Sequence, residues 1–192
     1  MAKKGLSREC IVDAAAQLAE EKGLENLTLH ELAGALGVKT ASLYNHLQGM
    51  PELNARLTER AFERMLEALR QAEGELCGGP ALRALAGAYR EFARSQPQLY
   101  KVMLAVPRFQ ETRIVAQKQS FMELFRRVLL PYGLSEQERV HMSRMLRSSL
   151  HGFVSLEAAG FFAYPVEADE SYGYLVQSLC AQIERLGGAQ GE

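Results

Sequence analysis

Residues 28–47 read Thr28-Leu29-His30-Glu31-Leu32-Ala33-Gly34-Ala35-Leu36-Gly37-Val38-Lys39-Thr40-Ala41-Ser42-Leu43-Tyr44-Asn45-His46-Leu47. Thr28 and Glu31 have the spacing of a capping box, which opens a helix at Thr28. Leu29, Leu32, Ala33 and Leu36 give that helix one apolar stripe, and Gly37 ends it. After the turn Gly37-Val38-Lys39 a second helix is expected from about Thr40 to Leu47, burying Leu43 and Leu47. Small Ala33 lets the two helices approach, and Val38, Leu43 and Leu47 plug the core between them. That is the spacing of a helix-turn-helix. The residues left facing outward are Thr40, Ala41, Ser42, Tyr44, Asn45 and His46. Between Gly37 and Met50 there is one cation, Lys39, and no carboxylate. Hydroxyls, an amide and a phenol suit phosphate oxygens and base edges, from which an acidic face would be repelled.

Working outward, the periodicity stays helical. Ile11, Val12, Ala15, Leu18 and Ala19 mark the buried face of a preceding helix, with Ser7 as its cap and Gly23 as a left-handed stop. Pro51 sits in the first turn of a longer helix to about Ala72, on which Leu53, Leu57, Ala61, Met65 and Leu69 face inward. Further helices are expected from Ala81 to about Ser95, from Pro97 to Ala105, and from about Gln110 to Leu130. Ser135-Glu136-Gln137-Glu138 is a second capping box, opening a long helix towards Phe162. Asp169 is expected to cap the last helix, which ends at Gly187-Gly188 before a frayed tail, Ala189 to Glu192. No alternating strand pattern and no internal repeat is present. The fold class is all-α, with about nine helices, divided into residues 1–50 and a larger helical domain, 51–192.

The remaining composition narrows the function. No apolar run reaches the roughly 18 to 20 residues of a membrane span, and no apolar stretch follows the basic start. Cys10, Cys77 and Cys180 are odd in number and far apart, which suits a reducing cytoplasm rather than a disulfide frame or a zinc site. There is no glycine-rich phosphate loop, and His141 lies ten residues before His151, out of register for a shared metal. No metal, no cofactor and no catalytic residue is expected.

The cluster Leu43-Tyr44-Asn45-His46-Leu47, followed by Glu52-Leu53 and preceded by Leu32 to Val38, resembles the DNA-binding domain of TetR-family repressors. The match covers about Ser7 to Leu57. The resemblance implies that Tyr44 and His46 contact backbone phosphates, and that Thr40, Ala41 and Asn45 face base edges in the major groove. It places Thr28 against a phosphate at a helix N-terminus, which the helix dipole also favours. Two positions depart from the family pattern. Leu47 replaces a usual aromatic, and Met50 replaces a usual lysine that clamps a phosphate. Lys3, Lys4, Arg8 and Lys39 are the cations that could compensate.

The second half is larger than a DNA reader needs. Met65, Tyr89, Phe92, Tyr100, Met103, Phe109, Phe121, Met122 and Phe125 are bulky groups that fill a core or line a pocket for a mostly apolar ligand. The resemblance favours the pocket, because TetR-like proteins hold an effector in this domain. Arg147 to Glu157, with Leu99-Tyr100-x-x-Met103, resembles the subset of TetR C-terminal domains carrying a Trp-His-Gly type motif, although this chain has no Trp. His151 either donates to a ligand or satisfies a buried carbonyl. Ser148, Gly152, Ser155 and Ala159 form a small-residue stripe, and Leu175, Val176, Leu179, Ile183 and Leu186 give the last helix surplus apolar surface. A four-helix dimer interface is the expected use of both.

The expected molecule is a cytoplasmic, homodimeric regulator, released from operator DNA by a small, largely apolar effector. Two rivals are a constitutive DNA-binding or protein-interaction module without an effector, and an all-α enzyme. Residues 1–50 hold five Lys+Arg and six Asp+Glu, so the reader is not basic as a whole. Few phosphates should then be neutralised per subunit, and the salt dependence of binding should be modest.

Overall fold

A computed structural model of the chain describes residues 6–104 and 112–188. Lys3, Lys4, Phe109 and the tail from Ala189 lie outside the described residues. The described elements are nine α-helices: α1 (Arg8–Lys22), α2 (Leu29–Leu36), α3 (Thr40–Leu43), α4 (Met50–Glu73), α5 (Gly78–Ser95), α6 (Pro97–Leu104), α7 (Thr112–Arg127), α8 (Glu136–Ala158) and α9 (Ala168–Gly188). Single 3-10 turns at Leu24–Asn26 and Leu130–Tyr132 accompany them. No strand occurs among the described residues.

Two compact units are formed: Met1–Arg64 with Gln96–Gln117, and Met65–Ser95 with Lys118–Glu192. Helix α4 contributes its first half to one unit and its second half to the other. In the first unit α1 packs on α2 and α6, and α2 packs on α3. Ile11, Ala15, Leu32, Leu43, Leu53 and Leu57 are among its fully buried side chains, so the predicted apolar stripes meet there. In the second unit α5, α8 and α9 pack on one another. Gly187 is a close-approach position, because a Cβ there would collide with the Tyr132 carbonyl oxygen.

The helix boundaries follow from local chemistry, with instructive exceptions. Ser7 Oγ accepts from the Cys10 amide, and Gly37 stops α2 at φ 65, a left-handed conformation that glycine adopts without a Cβ penalty. At Ser135 both arms of the capping box are made. At Thr28 only one is: Thr28 Oγ1 accepts from the Glu31 amide at 3.1 Å, while the Glu31 carboxylate pairs with Lys22. Gly23 has φ 89 but an extended ψ of 144, so it is not a left-handed stop. Regular helix in α3 ends at Leu43 rather than Leu47, because the His46 amide bonds back three residues to Leu43 and tightens the turn. The α8 helix ends at Ala158, short of Phe162, ahead of Gly160 with φ 72. Asp169 lies inside the first turn of α9, and its carboxylate is taken by Arg90 rather than by the helix end.

Candidate nucleic-acid interface

Leu43 and Leu47, both buried, hold the short α3 and its following turn against α2, and the residues between them are pushed outward. Tyr44 is 60% exposed. Lys39, Ala41 and Asn45 are exposed, whereas Thr40, Ser42 and His46 are half-buried. Lys39, Ala41, Tyr44 and Asn45 are thus exposed within a stretch that carries no carboxylate of its own. Thr28 is exposed at the start of α2 with its oxygen already accepting the Glu31 amide, so its hydroxyl proton is the group available to a phosphate oxygen.

The edges of this surface are held by contacts of different range. Arg8 Nε donates to the His46 carbonyl at 3.0 Å, tying α1 to the end of the reading turn. The Gln48 amide donates to Glu52 Oε2 at 2.7 Å, so a carboxylate of α4 itself occupies the start of that helix. Half-buried Met50 stands beside it. That carboxylate answers the positive end of the α4 dipole, but it does not replace the phosphate contact of a lysine at Met50. Among the described residues, the Lys39 side chain makes no hydrogen bond or ion pair, leaving its ammonium free for a phosphate.

One coupling had no local sequence signal. Glu20, on α1, accepts the backbone amides of Leu99 at 2.8 Å and Gln98 at 3.1 Å, and so caps the N-terminus of α6. Gln98 Oε1 in return accepts the Leu24 amide at 3.3 Å. Removing this carboxylate orphans two amides of the first turn of α6. Glu20→Ala is therefore expected to cost about 1–3 kcal/mol, read as a lower urea midpoint with an unchanged slope. Glu20→Gln should recover part of it.

The predicted sensor residues are inward-facing. Met65, Tyr89, Phe92, Phe121 and Phe125 are buried in the second unit, and Tyr100 and Met103 are buried on α6 in the first. Tyr89, Phe121 and Phe125 form one aromatic cluster: Phe121 and Phe125 lie 5.2 Å apart edge-on, and Tyr89 stands 6.3 Å from Phe125. Met122, expected inside, is exposed. His151 is half-buried, and its Nδ1 lies 3.3 Å from Ser155 Oγ on the next turn. No group of three metal-binding side chains occurs among the described residues.

On α8 the small-residue stripe lies open. Ser148 is exposed, Ser155 half-buried, and a Cβ built on Gly152 would meet nothing within 4 Å. Ala159 falls just past the helix as its C-terminal cap. Leu175 is half-buried, but Leu179 and Ile183 are buried within the chain itself, because α9 turns them towards its own unit. They lie beneath the open face rather than on it. No helix among the described residues is long and apolar enough to cross a membrane.

Two family models match this chain. Residues 11–56 match the model of bacterial regulatory proteins of the tetR family. Residues 82–179 match the tetracyclin repressor-like C-terminal domain. The chain belongs to the TetR family of transcriptional regulators. An uncharacterized helix-turn-helix transcriptional regulator of Bacillus subtilis, YobS, is 32% identical over 180 residues, spanning 93% of both chains. A Rhodococcus protein of unknown function superposes with a TM-score of 0.80 at 24% identity, covering 96% of each chain. A TetR variant of Acinetobacter baumannii, crystallised with minocycline, superposes at 0.70 with 25% identity, over 94% of this chain and 98% of that one. The TetR-family relatives are transcriptional regulators rather than enzymes, and so is this chain. The TetR N-terminal match includes the whole of α2, α3 and the outward-facing surface between them.

Proposed function

We propose that this TetR-family regulator is a cytoplasmic homodimeric repressor, released from its operator by a small, largely apolar effector. The observation that carries the DNA half is the exposed, carboxylate-free surface from Lys39 to His46. On this reading Thr40, Ala41, Ser42 and Asn45 meet base edges, and Thr28, Lys39, Tyr44 and His46 meet phosphates. Residues 1–50 act as the reader, and residues 51–192 as the sensing and dimerising part. The open face of α8 at Ser148, Gly152 and Ser155, with Leu175 on α9, supports a partner helix packing there. Two readers so joined would meet half-sites about one helical turn apart, roughly 34 to 36 Å, or a multiple of it.

Effector coupling has a physical route through α6. Tyr100 and Met103 on that helix are candidate ligand contacts, while its N-terminus is fixed to the reader helix α1 by Glu20. A ligand that shifts α6 therefore pulls on the reader, and one that favours a single arrangement lowers operator affinity by its differential binding. Minocycline in the Acinetobacter TetR variant supports a ligand in the corresponding fold.

Fluorescence anisotropy against the DNA flanking the protein's own gene tests this reading. A sequence preference over random DNA is expected, with a slope of log K against log salt of about −3 to −6 for the dimer. Replacing Tyr44 and Asn45 together by Ala should weaken that complex at least about tenfold. Equal affinity for random DNA would overturn the assignment of the reading surface.

A further inference from the structure

Two arginines of the second unit are treated in opposite ways. Arg90 on α5 is buried and saturated: its guanidinium binds Glu157 and Asp169. Arg147 on α8 is half-buried with no carboxylate partner among the described residues. Its Nε donates to the Ser143 carbonyl at 3.2 Å, which leaves both Nη groups without an acceptor among those residues. One turn earlier on the same face, Ser143 is 2% exposed, and its hydroxyl has no hydrogen-bond partner. Leu146, Leu150 and Val154 on that face are buried, and α5 packs against it.

The orphan hydroxyl is expensive in a folded chain, since buried hydroxyls are ordinarily bonded, and beside it stands a half-buried guanidinium that no carboxylate answers. Burial, then repulsion from Arg144, pushes the Arg147 guanidinium below its ordinary pKa. Tyr89 is within electrostatic reach of Arg147, and its ring belongs to the Phe121–Phe125 cluster. A polar, cationic end therefore adjoins an apolar, aromatic one.

We infer that the effector is an amphipathic organic anion, its carboxylate received by Arg147 and Ser143 and its apolar body lying against Tyr89, Phe121 and Phe125. This rests on the effector-responsive reading above and adds the chemical class. The planar guanidinium offers two parallel N–H donors to a carboxylate, and the serine hydroxyl a third. A neutral ligand of the same shape would leave the guanidinium charge unanswered.

The test uses the full-length chain and two matched pairs: 2-naphthoate with 2-naphthol, and decanoate with decanol, measured by titration calorimetry. At least one acid is expected to bind about 10- to 100-fold tighter than its neutral partner. Arg147→Met should bring that ratio to about one while leaving the alcohol's affinity unchanged, Arg147→Lys should keep part of it, and Ser143→Ala should reduce it. Without ligand, Arg147→Met should melt no lower than the wild type, because it removes an unpaired charge. Equal affinity within both pairs, a ratio that survives Arg147→Met, binding by neither acid, or a marked loss of stability in that variant would each overturn the inference. If the alcohols displace operator DNA and the acids do not, the head-group inference fails and the repressor reading stands. If no operator preference exists, that reading fails while the acid-to-alcohol ratio still decides the chemistry of the site.

Discussion

Leu43→Ala is expected to destabilise the reader by about 2–5 kcal/mol and to weaken operator binding at least tenfold. Leu43 is fully buried, and regular helix in α3 is only four residues long. So short a helix has almost no intrinsic stability, and tertiary burial of Leu43 and Leu47 is what maintains it. Truncation removes half of that anchor and leaves a cavity the four-residue segment cannot close. Thermal unfolding and anisotropy with operator DNA, on the same preparation, provide the two readouts. Leu43→Met, which conserves volume, should cost less than about 1.5 kcal/mol and retain binding. Normal operator affinity in Leu43→Ala would mean that DNA itself organises the turn.

The second large effect is expected at Arg90. Its Nε lies 2.9 Å from Glu157 Oε2 and its Nη2 2.7 Å from Asp169 Oδ1. The guanidinium also faces the Phe153 and Tyr172 rings at 5.5 and 4.7 Å, and the Tyr172 hydroxyl donates to the Ala86 carbonyl at 2.6 Å. One side chain thus joins α5 to the end of α8 and the start of α9. Arg90→Met should cost about 3–5 kcal/mol, because it strands the Glu157 carboxylate in a mostly buried site. The hydrogen bond and charge of Arg90 hold the Glu157 carboxyl below its ordinary value. Its contribution is therefore complete above the unfolded glutamate value, near 4.3, and is lost as pH falls through the depressed folded value. Urea unfolding between about pH 3 and 6 should show wild-type stability falling at the acid end, and a flatter profile in Glu157→Gln. Identical profiles would remove Glu157 from the acid response.

The features readable from the sequence are those set by neighbours along the chain. Leu53, Leu57, Ala61, Met65 and Leu69 recur every four residues, and all are fully buried or nearly so. Ser135 and Glu138 stand three apart, and both arms of their box form. The misreadings have the opposite origin. Asp169 has the chemistry of a cap, but Arg90, distant in sequence, competes for it and wins through a charged bond. Glu31 is likewise diverted by Lys22. Leu179 and Ile183 carried the right apolar period, but period alone does not say whether a face meets its own chain or another. Glu20 bonds to backbone amides almost eighty residues away, and such bonds have no side-chain pattern to reveal them. The Lys39–His46 surface was visible because every residue on it lies within one turn of a buried leucine.

The charge layout of the reader bears on how the regulator searches a genome. Lys22 is engaged by Glu31, Arg56 by Glu52 and Glu59, and Arg60 and Arg64 both by Asp13. Arg8, Lys39 and Lys101 are cations of this unit without a carboxylate among the described residues. Proteins with many free cations are mostly parked on arbitrary DNA and slide along it. With most of its cations answered internally, this regulator should spend more of its time unbound, sampling sites by collision from solution. Few copies would then be sequestered by bulk chromosome, so a small pool could hold a single site.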